Sequence, residues 1–215
     1  SVKRTNSALK VLNTCTPEDV PNVEILKAEM RVLRAHFYFE LSRHFNKIAW
    51  IDETIEEIDY STISNNIYTR DEILGMIAQE FEDAAQILPE TQSEVGRANK
   101  YVAKAYAAKV YLYKAYRQNP ANNALTSIDN ADLEKVVSLT GDVINSNRYA
   151  LMDDFQKLDI TDYENAEESI WAIQYSMNDG AILSGFLASS AGHVNWSQLL
   201  NTPKGPYSGD DFYKS

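Results

Sequence analysis

One cysteine in 215 residues, Cys15, excludes an internal disulfide, so packing and polar pairing must hold the chain together. This leaves the compartment open, because many exported proteins carry no disulfide. No stretch approaches the ~20 apolar residues of a membrane-spanning helix. Basic residues are short: 20 Lys and Arg against 31 Asp and Glu give a net charge of −11. That balance argues against nucleic acid, which needs clustered cations to release counterions from phosphates. It also argues against electrostatic docking on an anionic membrane face. Only three histidines are present; His36 and His44 lie two helical turns apart with no Glu at zincin spacing, and His193 is remote. They make no metal site. No nucleophile elbow, phosphate loop or dinucleotide fingerprint occurs, and no cofactor is expected. Leu12-Asn13-Thr14-Cys15 has the outline of a lipoprotein cleavage box, but no apolar core precedes it and Asn13 and Thr14 fit it poorly. A helix-end cysteine packed as a small hydrophobe is the better reading.

Helical patterning is abundant. At about 100° per residue, Leu26, Met30, Leu33, Phe37, Leu41 and Phe45 form one apolar stripe. Val32, Ala35 and Phe39 form a second on the opposite side, leaving a polar edge at Glu29, His36, Glu40 and Arg43. A surface helix needs only one stripe. Two predict a helix sandwiched between neighbours, as in stacked helical hairpins. Before it, a short helix spans residues 7–12, and Asn22 is placed to cap the long one. Residues 51–68 lack steady periodicity and read as a connecting excursion. Thr69-Arg70-Asp71-Glu72 is a capping box, and the helix behind it shows Ile73, Ile77, Phe81, Ala84 and Leu88 on one face before Pro89 stops it.

Asn99 opens a further helix reaching Tyr116, ended by Asn119-Pro120. Ala103, Ala105, Ala107, Ala108 and Ala115 permit close approach of a neighbour, while Tyr106, Val110 and Tyr113 supply bulk. The two helices form a hairpin of tetratricopeptide type. A last helix over residues 131–144 shows Leu133, Val136, Val137 and Val143 on one side, weakened at Gly141 by roughly 1 kcal/mol relative to Ala. Residues 169–175 alternate like a short strand, with Trp171 in the core. Residues 176–215 are rich in Gly, Ser and Asn with scattered aromatics. The expected fold is therefore mostly α: tetratricopeptide-like hairpins in an α–α superhelix over residues 1–147. A loop-rich part with little β follows at 148–215, within the same domain.

Four segments carry a more specific signal. Leu33, Arg34, Ala35, Tyr38, Phe39, Leu41 and Phe45 follow the pattern of the signature helix of the SusD/RagB family, which this stretch resembles. Gly96-Arg97-Ala98 with Ala103-Lys104-Ala105-Tyr106 resembles that family's second motif. Ile144-Asn145-Ser146-Asn147-Arg148-Tyr149-Ala150-Leu151 and Glu168-Ser169-Ile170-Trp171-Ala172-Ile173-Gln174-Tyr175 resemble the third and fourth. One departure stands out: Asn46-Lys47-Ile48-Ala49 replaces the usual Gly- and Pro-containing exit from the first helix, which leaves the course at Trp50 open. The resemblance implies an outer-membrane, cell-surface lipoprotein that captures glycans or other nutrients and passes them to a TonB-dependent, SusC-like transporter. It also implies that this chain lacks both ends of the family's length, with the lipid-bearing cysteine upstream.

Among candidate groups, Arg34 falls inside an apolar stripe and reads as a paired structural arginine. Glu56-Glu57, Asp153-Asp154 and Asp210-Asp211 are acidic pairs, but a glycosidase dyad is defined by separation in space, and such pairs are common in so acidic a chain. The expectation is binding without catalysis. Sugar sites place an aromatic face under the C–H surface of the ring and surround it with a few polar anchors. His193, Asn195 and Trp196, with Tyr207, have that composition and are the candidate ligand-binding residues. A tetratricopeptide-type scaffold for protein–protein interaction is the rival reading.

Overall fold

The computed structural model describes residues 1–159 and 163–174. Among the described residues five α-helices follow one another: α1 Val2–Leu12, α2 Val23–His44, α3 Arg70–Ile87, α4 Lys100–Ala115 and α5 Asn130–Asn145. Each packs against the next, α1 on α2, α2 on α3, α3 on α4 and α4 on α5, with a lighter contact between α2 and α4. This is the serial hairpin packing of a tetratricopeptide-like superhelix. A two-stranded antiparallel hairpin, β1 Tyr116–Gln118 with β2 Leu125–Ile128, separates α4 from α5, and a bulge falls between Arg117 and Gln118. Residues Ser1–Ala172 form one compact unit.

Alanine explains the closeness of the layers. Ala28 and Ala35 of α2, Ala78, Ala84 and Ala85 of α3, and Ala103, Ala107 and Ala108 of α4 are all buried. Between them sit Phe39, Leu74, Ile77, Phe81, Val102 and Val110. Phe81 stacks on Tyr106 with ring centroids 5.4 Å apart.

Helix starts follow from their caps. Thr69 and Glu72 form the complete capping box of α3. Asn99 accepts from the amides of Tyr101 and Val102 at the start of α4, and Asp129 accepts from Asp132 at the start of α5. Asn22 precedes α2 without a side-chain capping bond.

Several expectations are corrected. α2 does lie between neighbours, but its two stripes are unequal: Ala28, Val32, Ala35 and Phe39 are buried. The Leu26 to Phe45 stripe is half-covered at best by the described residues, with Phe45 58% exposed. Glu29, expected on the polar edge, is buried because Arg97 and Gln92 pair with it. α4 ends at Ala115, and Asn119-Pro120 builds the hairpin turn instead of the helix stop. α5 turns Asp132, Val136, Leu139 and Val143 toward α4, a 4-3-4 spacing, and leaves Val137 71% exposed. No strand forms over residues 169–174; Tyr175 lies outside the described residues. The alternation there is overridden by the docking of Trp171, which packs against the helical core.

Candidate functional site

Arg34 is the most constrained charged group. Its guanidinium donates from Nε to Glu80 Oε2 at 2.9 Å and from Nη1 to Asn6 Oδ1 at 3.0 Å. It also bonds Glu53 and the second oxygen of Glu80. One side chain thus ties α1, α2, α3 and the 51–68 connection together. Arg34 and the two carboxylates are largely buried. The guanidinium is held above its ordinary pKa by Glu80 and Glu53 in spite of its burial. Burial pushes the Glu80 carboxyl up, against the pull of Arg34. Burial pushes the Glu53 carboxyl up, but its hydrogen bonds and the charge of Arg34 together outweigh that and hold it below the usual range. The arrangement is structural: four of the five N–H donors of Arg34 are taken up by Asn6, Glu53 and Glu80.

One turn on, the Tyr38 hydroxyl accepts from Ile51 N at 2.7 Å and donates to Ile51 O at 2.8 Å. Burial pushes this phenol up to about 12. Trp50 stacks on the Tyr38 ring at 4.4 Å. The exit from α2 is therefore pinned by Tyr38 and Trp50, which settles the course that the departure at Asn46-Lys47-Ile48-Ala49 left open.

The third feature is the dock that receives the start of the loop-rich part. Gly96 has φ 91, a backbone conformation that an L side chain rarely adopts. In that conformation its carbonyl accepts from Trp171 Nε1 at 2.8 Å. Arg97 beside it donates from Nε to Glu29 Oε1 at 2.9 Å, and Gln92 Nε2 joins Glu29 to Ala98 O. The Trp171 ring meets His36 and Tyr106 edge to face at 5.6 Å and 5.5 Å. His36 Nδ1 is buried with no hydrogen-bond partner among the described residues. Burial lowers the His36 pKa, with Lys109 and Arg43 adding to the effect and Glu40 opposing it.

Two neighbouring strips close the dock. The Tyr149 hydroxyl accepts from Asn99 Nδ2 at 3.0 Å, and Arg148 lies over the Tyr101 ring while donating to Glu90 at 3.0 Å. Ala150 N donates to Glu167 O at 3.0 Å and Met152 N to Glu168 Oε2 at 2.9 Å. The small hollow beside Trp171, about 230 Å³, lies below the ~300 Å³ at which ligand pockets begin. It is a joint between chain segments, and its chemistry is that of an anchor.

The expected ligand-binding residues His193, Asn195, Trp196 and Tyr207 lie outside the described residues. Of the acidic pairs, Glu56 and Glu57 hold Lys10 and Lys3 of α1 in ion pairs on the surface, and Asp210-Asp211 lies outside the described residues. Asp153 and Asp154 are exposed. Among the described residues no group of three or more His, Cys, Asp or Glu is arranged to hold a metal ion. Cys15 is a half-buried free thiol just beyond α1. Sequence reasoning missed the joint at Gly96, although the Gly-Arg-Ala triplet and the Trp in the fourth motif were both visible.

A family of SusD-like proteins, described as starch-binding and associating with the outer membrane, matches residues 1–112. A SusD-like protein of Bacteroides ovatus is 28% identical over 176 residues, which is 81% of this chain and 31% of that protein. A SusD superfamily protein of Parabacteroides distasonis superposes with a TM-score of 0.68 at 27% identity, over 82% of this chain and 36% of the other. The surface glycan-binding protein A of Bacteroides thetaiotaomicron, solved with laminarihexaose, gives a TM-score of 0.62 at 19% identity, over 81% of this chain and 33% of its own. The chain spans about a third of the length of these relatives.

Proposed function

The chain belongs to the SusD-like family, and from that premise we propose that the protein captures glycans at the outer surface of the outer membrane, held there by a lipid anchor, and passes them to a TonB-dependent, SusC-like transporter. It binds and does not catalyse. The observation that supports this reading is the family match itself, whose 112 residues take in α1 to α3 and most of α4. Within it the motif residues Arg34, Tyr38, Gly96 and Arg97 are the pins of the scaffold. The solved relative bound to laminarihexaose supports a β-glucan or similar oligosaccharide as the ligand class.

The scaffold of residues 1–147 carries a loop-rich part, 148–215, in the same domain. Trp196 is the platform under the sugar ring, with Asn195, His193 and Tyr207 as polar and aromatic anchors; rigidly supported loops are where binding residues concentrate. Titration of the full-length protein with laminarihexaose and maltohexaose tests the reading. Micromolar to millimolar binding of one of them is expected, falling at least tenfold in Trp196→Ala. Absence of binding across a wide oligosaccharide panel, or turnover of the glycan, overturns it. The transporter hand-off is tested separately, by co-purification of the full-length protein from outer membranes with and without its lipidated N-terminus.

A further inference from the structure

A second concavity lies away from the Trp171 joint, where the exit of α2, the approach to α3 and the tip of the β1–β2 hairpin meet. Its volume is about 450 Å³, inside the ~300–1,000 Å³ range of small-molecule sites. Four carboxamides, Asn46, Asn66, Gln118 and Asn123, line it together with Lys47 and Tyr68. Tyr68 is 37% exposed.

The walls are fixed. Lys47 Nζ donates to Asn66 Oδ1 at 2.6 Å, joining two of them. The approach to α3 is locked by the Thr69–Glu72 capping box. At the hairpin tip, Asn123 has φ 58, its N–H donates to Asn119 O at 2.8 Å, and Asn119 N donates to Ala124 O at 2.8 Å. Arg70 also lines the cleft and donates to Tyr113 O at 2.8 Å, which ties it to α4. Lys47, Asn66 and the backbone of Asn123 are thus held before binding, which lowers the ordering entropy that their contacts would cost.

The charge of this cleft runs against that of the chain. Asp71 is matched by Arg70 at 2.9 Å and faces Arg117 at 3.7 Å. Among the described residues Lys47 meets the amide of Asn66 and no carboxylate. A protein of net charge −11 thus presents here an ammonium that, among the described residues, has an amide and no carboxylate against it, with further carboxamides beside it. Carboxamides donate and accept side by side, which suits vicinal hydroxyls, and an exposed phenol ring suits the C–H face of a sugar.

We infer that this cleft is a second saccharide site, distinct from the loop-borne one proposed above, and that it takes an acidic sugar whose carboxylate pairs with Lys47 while its hydroxyls meet Asn66, Gln118 and Asn123. The probes are tri-galacturonate, the neutral maltotriose and succinate, each titrated into the full-length protein at low and at physiological salt. Tri-galacturonate is expected to bind at least tenfold more tightly than maltotriose or succinate, and more weakly as salt rises, since an exposed ion pair is screened. Lys47→Gln is expected to lower that affinity about tenfold, and Lys47→Arg to keep most of it.

Unchanged tri-galacturonate affinity in Lys47→Gln, or equal affinity for maltotriose, overturns the assignment. Equal affinity for succinate overturns its saccharide part. Crystals of the full-length protein soaked with tri-galacturonate give an independent reading, because density elsewhere and none between Lys47 and Asn123 also refutes it. The loop-site proposal fails by a different result, the absence of any binding to the neutral hexasaccharides, so the two outcomes are separable.

Discussion

Arg34 shows what a single buried charge does for a fold with no disulfide. It stands among Ala28, Val32 and Ala35, yet it is satisfied by Asn6, Glu53 and Glu80 on three other segments. Removing one partner of a buried pair leaves the others uncompensated and costs about 3–5 kcal/mol. Here Arg34→Met strands two carboxylates, so a loss at the upper end of that range is expected in urea denaturation. Adding Glu80→Gln to that variant should recover part of it, which a double-mutant cycle reads directly.

His36 makes the complementary case, a half-buried titratable ring against Tyr106 and Trp171 whose Nδ1 has no partner among the described residues. Burial lowers its pKa from the ordinary 6.5, so the folded state binds the proton less tightly than the unfolded chain does. Stability is therefore full above that value and falls as pH drops below it toward the folded-state pKa. His36→Phe keeps the edge-to-face contacts and removes the proton. The expected outcome is that the fall in Tm between pH 7.5 and pH 5.5 becomes smaller in the variant; identical slopes in the two proteins would refute the assignment.

At the scale of the element, the helices were legible where period and cap agree. Thr69 and Glu72 announce α3, and Asn99 announces α4, because those side chains do locally what the backbone needs. The β hairpin was not legible: Tyr116–Gln118 continues the helical text of α4, and only tertiary context ends the helix at Ala115. The same limit applies to α5, where four valine and leucine positions fit a stripe equally well and the face of α4 decides that Leu139 and Val143 go inward. Residues 169–174 alternate as a strand would, but the bond from Trp171 to Gly96 O outweighs propensity. The candidate ligand residues rest on composition alone, since sequence distance carries no information on which loops meet.

Gly141 is an element-scale defect that can be repaired. It sits inside α5, its φ is not in the left-handed range, and a Cβ added there would meet nothing within 4 Å. Gly141→Ala should raise stability by about 1 kcal/mol through helix propensity and reduced freedom of the unfolded chain. Thermal unfolding with an unchanged circular dichroism spectrum checks it, and a decrease would mean that the site has an unseen steric neighbour.

At the scale of the whole molecule, the described helices form a superhelix to which Trp171, through Gly96, ties the segment that follows α5. Residues Ser1–Ala172 form one compact unit, and within it the segment after α5 returns to the loop between α3 and α4 through Arg148 and Glu90, Tyr149 and Asn99, and Trp171 and Gly96. A piece comprising residues 1–172 should therefore fold on its own, with a helical spectrum and cooperative unfolding, because each hairpin packs mainly on its neighbours. A piece stopping at residue 147 gives up the indole of Trp171 and the Tyr149 contact. A large half-buried aromatic and its hydrogen bonds cost roughly 2–4 kcal/mol when lost, equivalent to a drop in Tm of roughly 5–15 °C for a chain of this size. Both pieces should remain helical, and neither should bind the neutral hexasaccharides that the full-length protein holds, because both lack Trp196 and its neighbours. Calorimetry of the three proteins against the same glycans decides it. Equal affinity in residues 1–172 would place the main site on the helical scaffold and remove Trp196 from it, whereas equal Tm values for the two pieces would show that the joint at Gly96 contributes nothing to the fold.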